Sequence, residues 1–297
     1  MRLASLVLLA LALIGPTSAP GARSTRAPQR PSTRMPNPQV IAHRGASWDA
    51  PEHTFVAWDL ALESGADWIE QDLQLTRDGV LVVFHDDSLD RVARGPVADC
   101  SGTIRSKTRA QLRRCDVGSW FSAKFPARAK AGFAAQRIPT LDDVLARYRR
   151  RAKFYIELKA PEEAPGMEQA LLAALTRHGL AADSASRARV IVQSFSAASL
   201  QRFAAIAPGY TLVQLLGDRL DEATLDAELT RIARYAQGIG PSRRHVHRTL
   251  IDKAHAKGLV IHPYTVNDEA EMRRLLSLGV DGMFTDRPGQ LRRLLPY

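Results

Sequence analysis

The sequence predicts an α/β chain that closes into a single TIM (β/α)8 barrel, and three observations carry the prediction. Short apolar runs alternate with helical patterns from Val40 to the C-terminus. Eight such runs can be counted, the number a closed parallel barrel needs within about 250 residues. The polar residues that interrupt the pattern stand at or just after the ends of apolar runs, where barrels of this kind build their sites.

Val40, Ile41 and Ala42 make a short first strand, broken by Arg44-Gly45. Beyond Pro51, Thr54 is placed to cap a helix on which Phe55, Trp58 and Leu62 recur at helical spacing up to Gly65. Trp68 to Leu75 alternates, with Trp68, Glu70, Asp72 and Gln74 on one face and Ile69, Leu73 and Leu75 on the other. Both carboxylates therefore share a face, about 7 Å apart at Cα. Acids pointing into a barrel near a strand's end serve something other than packing. Arg77-Asp78-Gly79 is a turn signal, and pairing Leu73–Thr76 with Val80–His85 around it returns His85 roughly opposite Asp72.

From about residue 87 to 138 the chain loses regularity, which is too long for a plain strand-to-helix connection. It reads as an insertion over the barrel mouth, with short helices around Arg109–Arg114 and aromatics at Trp120, Phe121 and Phe125. Thr140 with Asp143 three residues on opens a helix running to about Arg150. The run Arg147, Arg149, Arg150 and Arg151 at its end reads as cations complementing a helix C-terminus. Lys153 to Lys159 is the third strand, with Tyr155, Glu157 and Lys159 on one face. Five more follow near 189–195, 210–216, 237–240, 259–265 and 282–285.

Composition bounds the function. With 45% hydrophobic and 24% charged residues this is ordinary globular material. The net charge is +10, but residues 1–38 contribute five arginines and no acid, so half of the excess lies there. What remains suits an anionic ester or contact with an anionic membrane or cell-wall surface. Without basic and aromatic residues interleaved it gives no case for nucleic acid. Oligomeric state is not legible.

Residues 1–22 read as a secretory signal: Arg2, an apolar run from Leu3 to Ile14, then small turn-prone residues to Ala22. The run is too short to span a bilayer. Residues 23–38 are rich in Pro, Ser, Thr and Arg and read as a disordered linker, leaving 39–297 as the folded domain. The expected destination is outside the cytoplasm, whether periplasmic, surface-attached or secreted. Cys100 and Cys115 are the whole cysteine complement; in an exported chain an even pair reads as a disulfide, with two buried thiols as the rival.

The candidate chemistry follows from residue types. Glu70, Asp72 and Glu157 are hard oxygen donors at the ends of neighbouring strands, suited to one divalent cation, Ca²⁺ favoured over Mg²⁺. His43 and His85 are the candidate acid and base, since histidine titrates near working pH. Arg44 and Lys159 are candidate phosphate binders, although Arg44 could instead be locked to Glu52, which reads as an orienting residue. Tyr264 either lines the substrate end or packs. His245, His247, His255 and His262 stand outside the constellation.

The stretches HRG at 43–45, PEHT at 51–54, GADWIEQDLQLTRDG at 65–79 and VVFHD at 82–86 resemble the signature of the glycerophosphodiester phosphodiesterase family. Later pieces agree in order: Tyr155–Lys159, Gln193–Phe195, Tyr264–Asn267 and Asp281–Pro288. The resemblance implies a metal-dependent TIM-barrel hydrolase that releases glycerol 3-phosphate and an alcohol. It implies Glu70, Asp72 and Glu157 as metal ligands, position for position. The family pattern usually has Asn where His53 stands and often Trp where Tyr264 stands, so both are departures. Two alternatives remain open. One is a related activity on lipids of the phospholipase D, sphingomyelinase D or phosphatidylinositol phospholipase C kind, served by an apolar mouth from Trp120, Phe121 and Phe125. The other is a secreted barrel that binds phosphodiesters without turning them over.

Overall fold

The computed structural model describes residues 37–134, 136–218, 221 and 223–296. The signal and most of the linker predicted for residues 1–38 lie outside the described residues.

Among the described residues nine strands form one sheet: β1 (Gln39–Ala42), β2 (Trp68–Leu75), β3 (Leu81–Val83), β4 (Phe154–Leu158), β5 (Val190–Ser194), β6 (Thr211–Leu216), β7 (Gly238–Pro241), β8 (Val260–Ile261) and β9 (Gly282–Thr285). Setting β3 aside, the eight others pair in parallel in the order β8-β7-β6-β5-β4-β2-β1-β9. The remaining seam is bridged by backbone bonds. Asp281 N–H donates to the Ile261 carbonyl at 3.1 Å, and Phe284 N–H to that of Pro263 at 3.0 Å. With helices following the strands, this is the predicted (β/α)8 barrel, each strand within a residue or two of its expected place except β8. That strand is shorter than 259–265 because the chain turns at Pro263 and rejoins β7 only through a Ser242–Tyr264 bridge.

The local signals act as expected. Thr54 caps the helix Phe55–Glu63 by accepting from the Ala57 N–H, and Thr140 with Asp143 forms a reciprocal capping box. That second helix ends at Tyr148 rather than Arg150, with Arg147 in its last turn as predicted. Arg147 and Arg151 also both reach across to Asp59, each at 2.6 Å. Asp59, on the neighbouring helix, also accepts from the Tyr148 hydroxyl at 3.0 Å.

Apolar side chains divide by strand face. Ile69 and Leu73 of β2 point out into the layer between barrel and helices, while Trp68 points in, packed with Ile41, Tyr155, Ile191, Val213 and Phe284. This inner plug is the floor of the barrel mouth. Glu70 and Asp72 continue Trp68's face toward the C-terminal end, so they stand above an apolar floor and out of bulk water.

Antiparallel β2 and β3 form the predicted hairpin, registering Leu73 with Val83 and Leu75 with Leu81. Phe84, not His85, lies opposite Asp72, its N–H bonding the Asp72 carbonyl at 2.9 Å. The expected position was off by one residue. Beyond the hairpin, the insertion stands over one side of the mouth on a small core of its own. Leu89, Ile104, Leu112, Trp120, Phe121 and Phe133 pack there against Val82 and Phe84. A disulfide joins Cys100 to Cys115 within it, with Cα atoms 5.5 Å apart.

Candidate active site

The first strand delivers two functional side chains through a tight turn. Arg44 at φ 58 and Gly45 at φ 88 both lie in the left-handed region. At Gly45 a Cβ would come within 2.7 Å of the Ala57 backbone, so only glycine lets this turn lie against the helix. Arg44's backbone N–H then donates to Glu70 at 2.6 Å, tying the loop to β2.

A cavity of about 160 Å³ at the mouth is lined by His43, Arg44, Glu70, Asp72, His85, Glu157, Lys159 and Tyr264, together with Gln193 and Phe195. Every catalytic, metal-ligating and substrate-binding candidate from the sequence therefore meets in one place. Glu52 touches it through Arg44, whose NH1 donates to Glu52 at 3.0 Å, while the buried Arg44 Nε has no hydrogen-bond partner. Arg44 is thus locked to Glu52 and also lies against Asp72, its Nε 3.6 Å from Oδ2, while the side chain still lines the cavity. Tyr264 lines the cavity with its hydroxyl donating to the Leu216 carbonyl at 2.8 Å.

The acids are a dense group. Register pairs Asp72 with Glu157 across β2 and β4. Glu70 is 1% exposed and Glu157 7%. Burial, then the neighbouring Asp72, pushes Glu157 up to about 8, against the pull of Lys159 at 3.2 Å. Burial, with Asp72 and Glu157 nearby, likewise holds Glu70 well above the usual carboxylate range. Asp72 goes the other way: burial opposes its ionisation, but a hydrogen bond to His53 and the Lys159 charge outweigh it. Potential ligand atoms of His53, Glu70 and Asp72 lie within 4.8 Å of one another. Clustered buried carboxylate oxygens, two of them on acids whose ionisation burial opposes, are a hard donor set that a cation would stabilise, so these residues fit a divalent metal.

His53 is the departure that matters. It is 3% exposed, sits at φ 55, and places Nε2 2.7 Å from Asp72 Oδ2. The sequence marks it only as a departure from the family pattern, whereas the structure brings it to the acids themselves.

Each candidate acid–base histidine is held by a carboxylate through Nδ1. His43 Nδ1 meets Asp286 Oδ1 at 2.6 Å, and Asp286 also accepts from Ser47 Oγ at 2.9 Å and Asn267 Nδ2 at 2.5 Å. His85 Nδ1 meets Asp86 Oδ1 at 2.7 Å, and Asp86 is gripped in turn by Arg91. With Nδ1 committed, Nε2 is the nitrogen of each ring able to exchange a proton. Burial, then the Arg44 charge, lowers the pKa of His43 despite Asp286. Burial would raise Asp286, but the bond and charge of His43, with Ser47 and Asn267, bring it down to about 2.

Ser47 and Arg91 were not singled out from the sequence, and Asp86, Gln193, Asn267 and Asp286 stood in the matching stretches without an assigned role. Asp286 directly follows β9, so the rule that pointed to Glu70 also pointed to it. Gln193 is 2% exposed, lines the cavity, and has no hydrogen-bond partner at Oε1. The remaining histidines stay outside: His255 meets Asp281 at 2.8 Å, His247 caps a helix, His245 lies 3.9 Å from Asp218, and buried His262 pairs with the Tyr155 hydroxyl at 3.0 Å.

A closed α/β barrel whose mouth gathers acids, carboxylate-held imidazoles and two cations defines a hydrolase of anionic esters. The chain belongs to the glycerophosphoryl diester phosphodiesterase family, whose model matches residues 43–290. It is 39% identical over 291 residues to a glycerophosphodiester phosphodiesterase of Bacillus subtilis, covering 97% of this chain and 95% of that protein. One from Caldanaerobacter subterraneus is 33% identical, covering 86% and 97%. Among solved structures, a glycerophosphodiester phosphodiesterase from Agrobacterium tumefaciens matches with 30% identity and a TM-score of 0.67, covering 86% of this chain and 99% of its own. An Oleispira antarctica phosphodiesterase, solved with the product sn-glycerol 3-phosphate, matches with 26% identity and a TM-score of 0.72, covering 86% and 96%.

Proposed function

We propose that this chain is an exported, divalent-cation-dependent glycerophosphodiester phosphodiesterase that releases sn-glycerol 3-phosphate and an alcohol. The observation that carries the reading is the single cavity holding both imidazoles, the buried acids and two cations. Relatives of the same name across nearly the whole chain, and a structural neighbour solved with that product, support it.

In this reading Glu70, Asp72 and Glu157 hold the cation, with His53 within reach of the same spot. A bound divalent cation, Ca²⁺ favoured and Mg²⁺ the alternative, would offset the charge of the phosphodiester. The Arg44 guanidinium, which lines the cavity, and the Lys159 ammonium bind non-bridging phosphate oxygens. Gln193 Oε1 receives a glycerol hydroxyl. One imidazole takes the proton of the attacking hydroxyl and the other gives one to the departing alkoxide. One P–O bond forms, the bond to the alcohol breaks, and the net addition is one water.

Export rests on the apolar run from Leu3 to Ile14 and agrees with a disulfide in the insertion. Among the described residues no helix is long and apolar enough to cross a membrane. The lipid alternative loses Phe121, which is buried in the insertion's own core, while Trp120 and Phe125 line a cleft beside the mouth.

The test is glycerol 3-phosphate release from glycerophosphocholine with Ca²⁺, with Mg²⁺ and with EDTA. Activity should vanish on chelation, and in His43→Ala fall by about 10²–10⁴-fold. Silence of the wild type under every ion overturns the soluble-substrate reading in favour of lipids or of binding alone. Activity that survives EDTA and Glu70→Ala overturns the metal site.

A further inference from the structure

A second cleft, about 320 Å³, adjoins the mouth cavity and shares His43 and Arg44 with it. Its far wall comes from the insertion: Trp120, Lys124, Phe125 and Arg128, facing Trp48 of the first loop. A diester bound at His43 and Arg44 has one half in the mouth, near Gln193, and the other half in this cleft.

The charges here are not balanced locally. Arg44 and Arg91 both pair with Glu52, which despite its burial is brought down to about 2, first by the Arg91 hydrogen bond. Asp286 is occupied by His43, Ser47 and Asn267. Among the described residues neither Lys124 nor Arg128 forms an ion pair with a carboxylate, so the cleft carries two uncompensated cations. The aromatic faces, which would otherwise welcome a quaternary ammonium, are already taken. The Arg128 guanidinium sits 4.2 Å from the Trp48 ring and 3.9 Å from that of Phe125, and Arg287 sits 3.5 Å from Trp48.

Resting on the phosphodiesterase reading above, we propose that this cleft is the alcohol subsite and that it selects an alcohol carrying its own negative charge, a phosphate ester, over choline. Lys124 and Arg128 contact that second phosphate; Trp48 and Phe125 hold Arg128 in place. The reaction is unchanged: the P–O bond to the charged alcohol breaks and the alkoxide takes a proton.

Three soluble diesters differing in the leaving alcohol test it on the full chain: deacylated cardiolipin (anionic glycerophosphoglycerol leaves), glycerophosphoglycerol (neutral glycerol leaves) and glycerophosphocholine (cationic choline leaves). At low salt kcat/KM should fall in that order, with the anionic substrate ahead of the neutral one by about 5- to 10-fold, mostly in KM, and with the gap closing as salt rises. Lys124→Gln should shrink the anionic-to-neutral ratio, and Lys124→Gln with Arg128→Gln should bring it near unity. Lys124 is exposed, so the single variant keeps the result readable if loss of Arg128 disturbs the insertion. A preference for choline, or a ratio unmoved in both variants, overturns the subsite while leaving the phosphodiesterase standing. No glycerol 3-phosphate from any of the three overturns the activity and the subsite together.

Discussion

The two histidine stations solve one problem with different materials. His43 leaves the end of β1 and is held by Asp286, which directly follows β9, with Asn267 and Ser47 fixing the acid. Both strands belong to the closed barrel and pair residue for residue, Ala42 with Thr285. His85 leaves the hairpin and is held by its neighbour Asp86, steadied by Arg91 from the insertion, which also grips Glu52. One station is anchored by strand pairing; the other leans on an appended segment with a separate core. An acid–base pair can thus be positioned half by scaffold and half by insertion, and the halves should fail differently.

The largest expected difference comes from removing the anchoring acids. Asp286→Asn keeps the shape but reverses the polarity of the bond to His43 Nδ1, favouring the tautomer with its proton on Nε2. The loss in kcat should be about 10- to 100-fold, as for other groups that orient a ligand or catalytic ring. Asp86→Asn should cost less, because its histidine is more exposed and can reorient, with side-chain exposure of 31% against 18% for His43. Measured kcat and KM for both variants decide it. Equal losses, or the larger loss at Asp86, would break the contrast, and a change in KM alone would reassign both acids to substrate binding.

Much of this contrast lies beyond what the sequence shows. Alternation placed Glu70 and Asp72 on one face, and the turn at Asp78-Gly79 returned His85 to them, because periodicity and turn chemistry are local. The eight strands were legible for the same reason. The His43–Asp286 pair joins residues 243 apart, a closure only the finished barrel makes. His53 was noticed as a departure, but its reach to Asp72 depends on a left-handed backbone at φ 55 that residue type alone does not announce. The buried state of Trp120 and Phe121 was hidden because an irregular segment gives no period from which to read an inside.

Between the stations lie the acids, and their titration separates metal-free from metal-bound protein. With Glu157 pushed up to about 8 by burial and Asp72, the folded chain keeps a proton that the unfolded chain has released. Stability of chelated protein should therefore fall as pH rises through that window, since the native state binds more protons there. Between pH 6.5 and 8.5 the melting temperature in EDTA should drop by several degrees. His262, brought down to about 4 by burial, contributes little over that range. Excess Ca²⁺ should flatten the slope, as should Glu157→Gln in EDTA. A slope identical with and without the ion would remove Glu157 from the metal site.

The smallest effect on rate, and the sharpest test of the half-and-half design, is loss of the disulfide. Cys100 and Cys115 close a loop whose removal should cost about 3 kcal/mol of stability by loop-closure entropy. The bond lies in the small core shared by Leu89, Val92 and Phe84, the residues that carry the segment between His85 and Arg91. In the Cys100→Ala, Cys115→Ala chain, kcat well below the melting temperature should change by no more than about 3-fold, because Asp86 is covalently next to His85 and moves with it. Inactivation on warming should then track loss of the insertion, with limited proteolysis cutting near residues 87–138 while the barrel stays folded. If activity and the whole barrel melt together instead, the insertion is part of one cooperative core and the division between the two stations is only one of sequence.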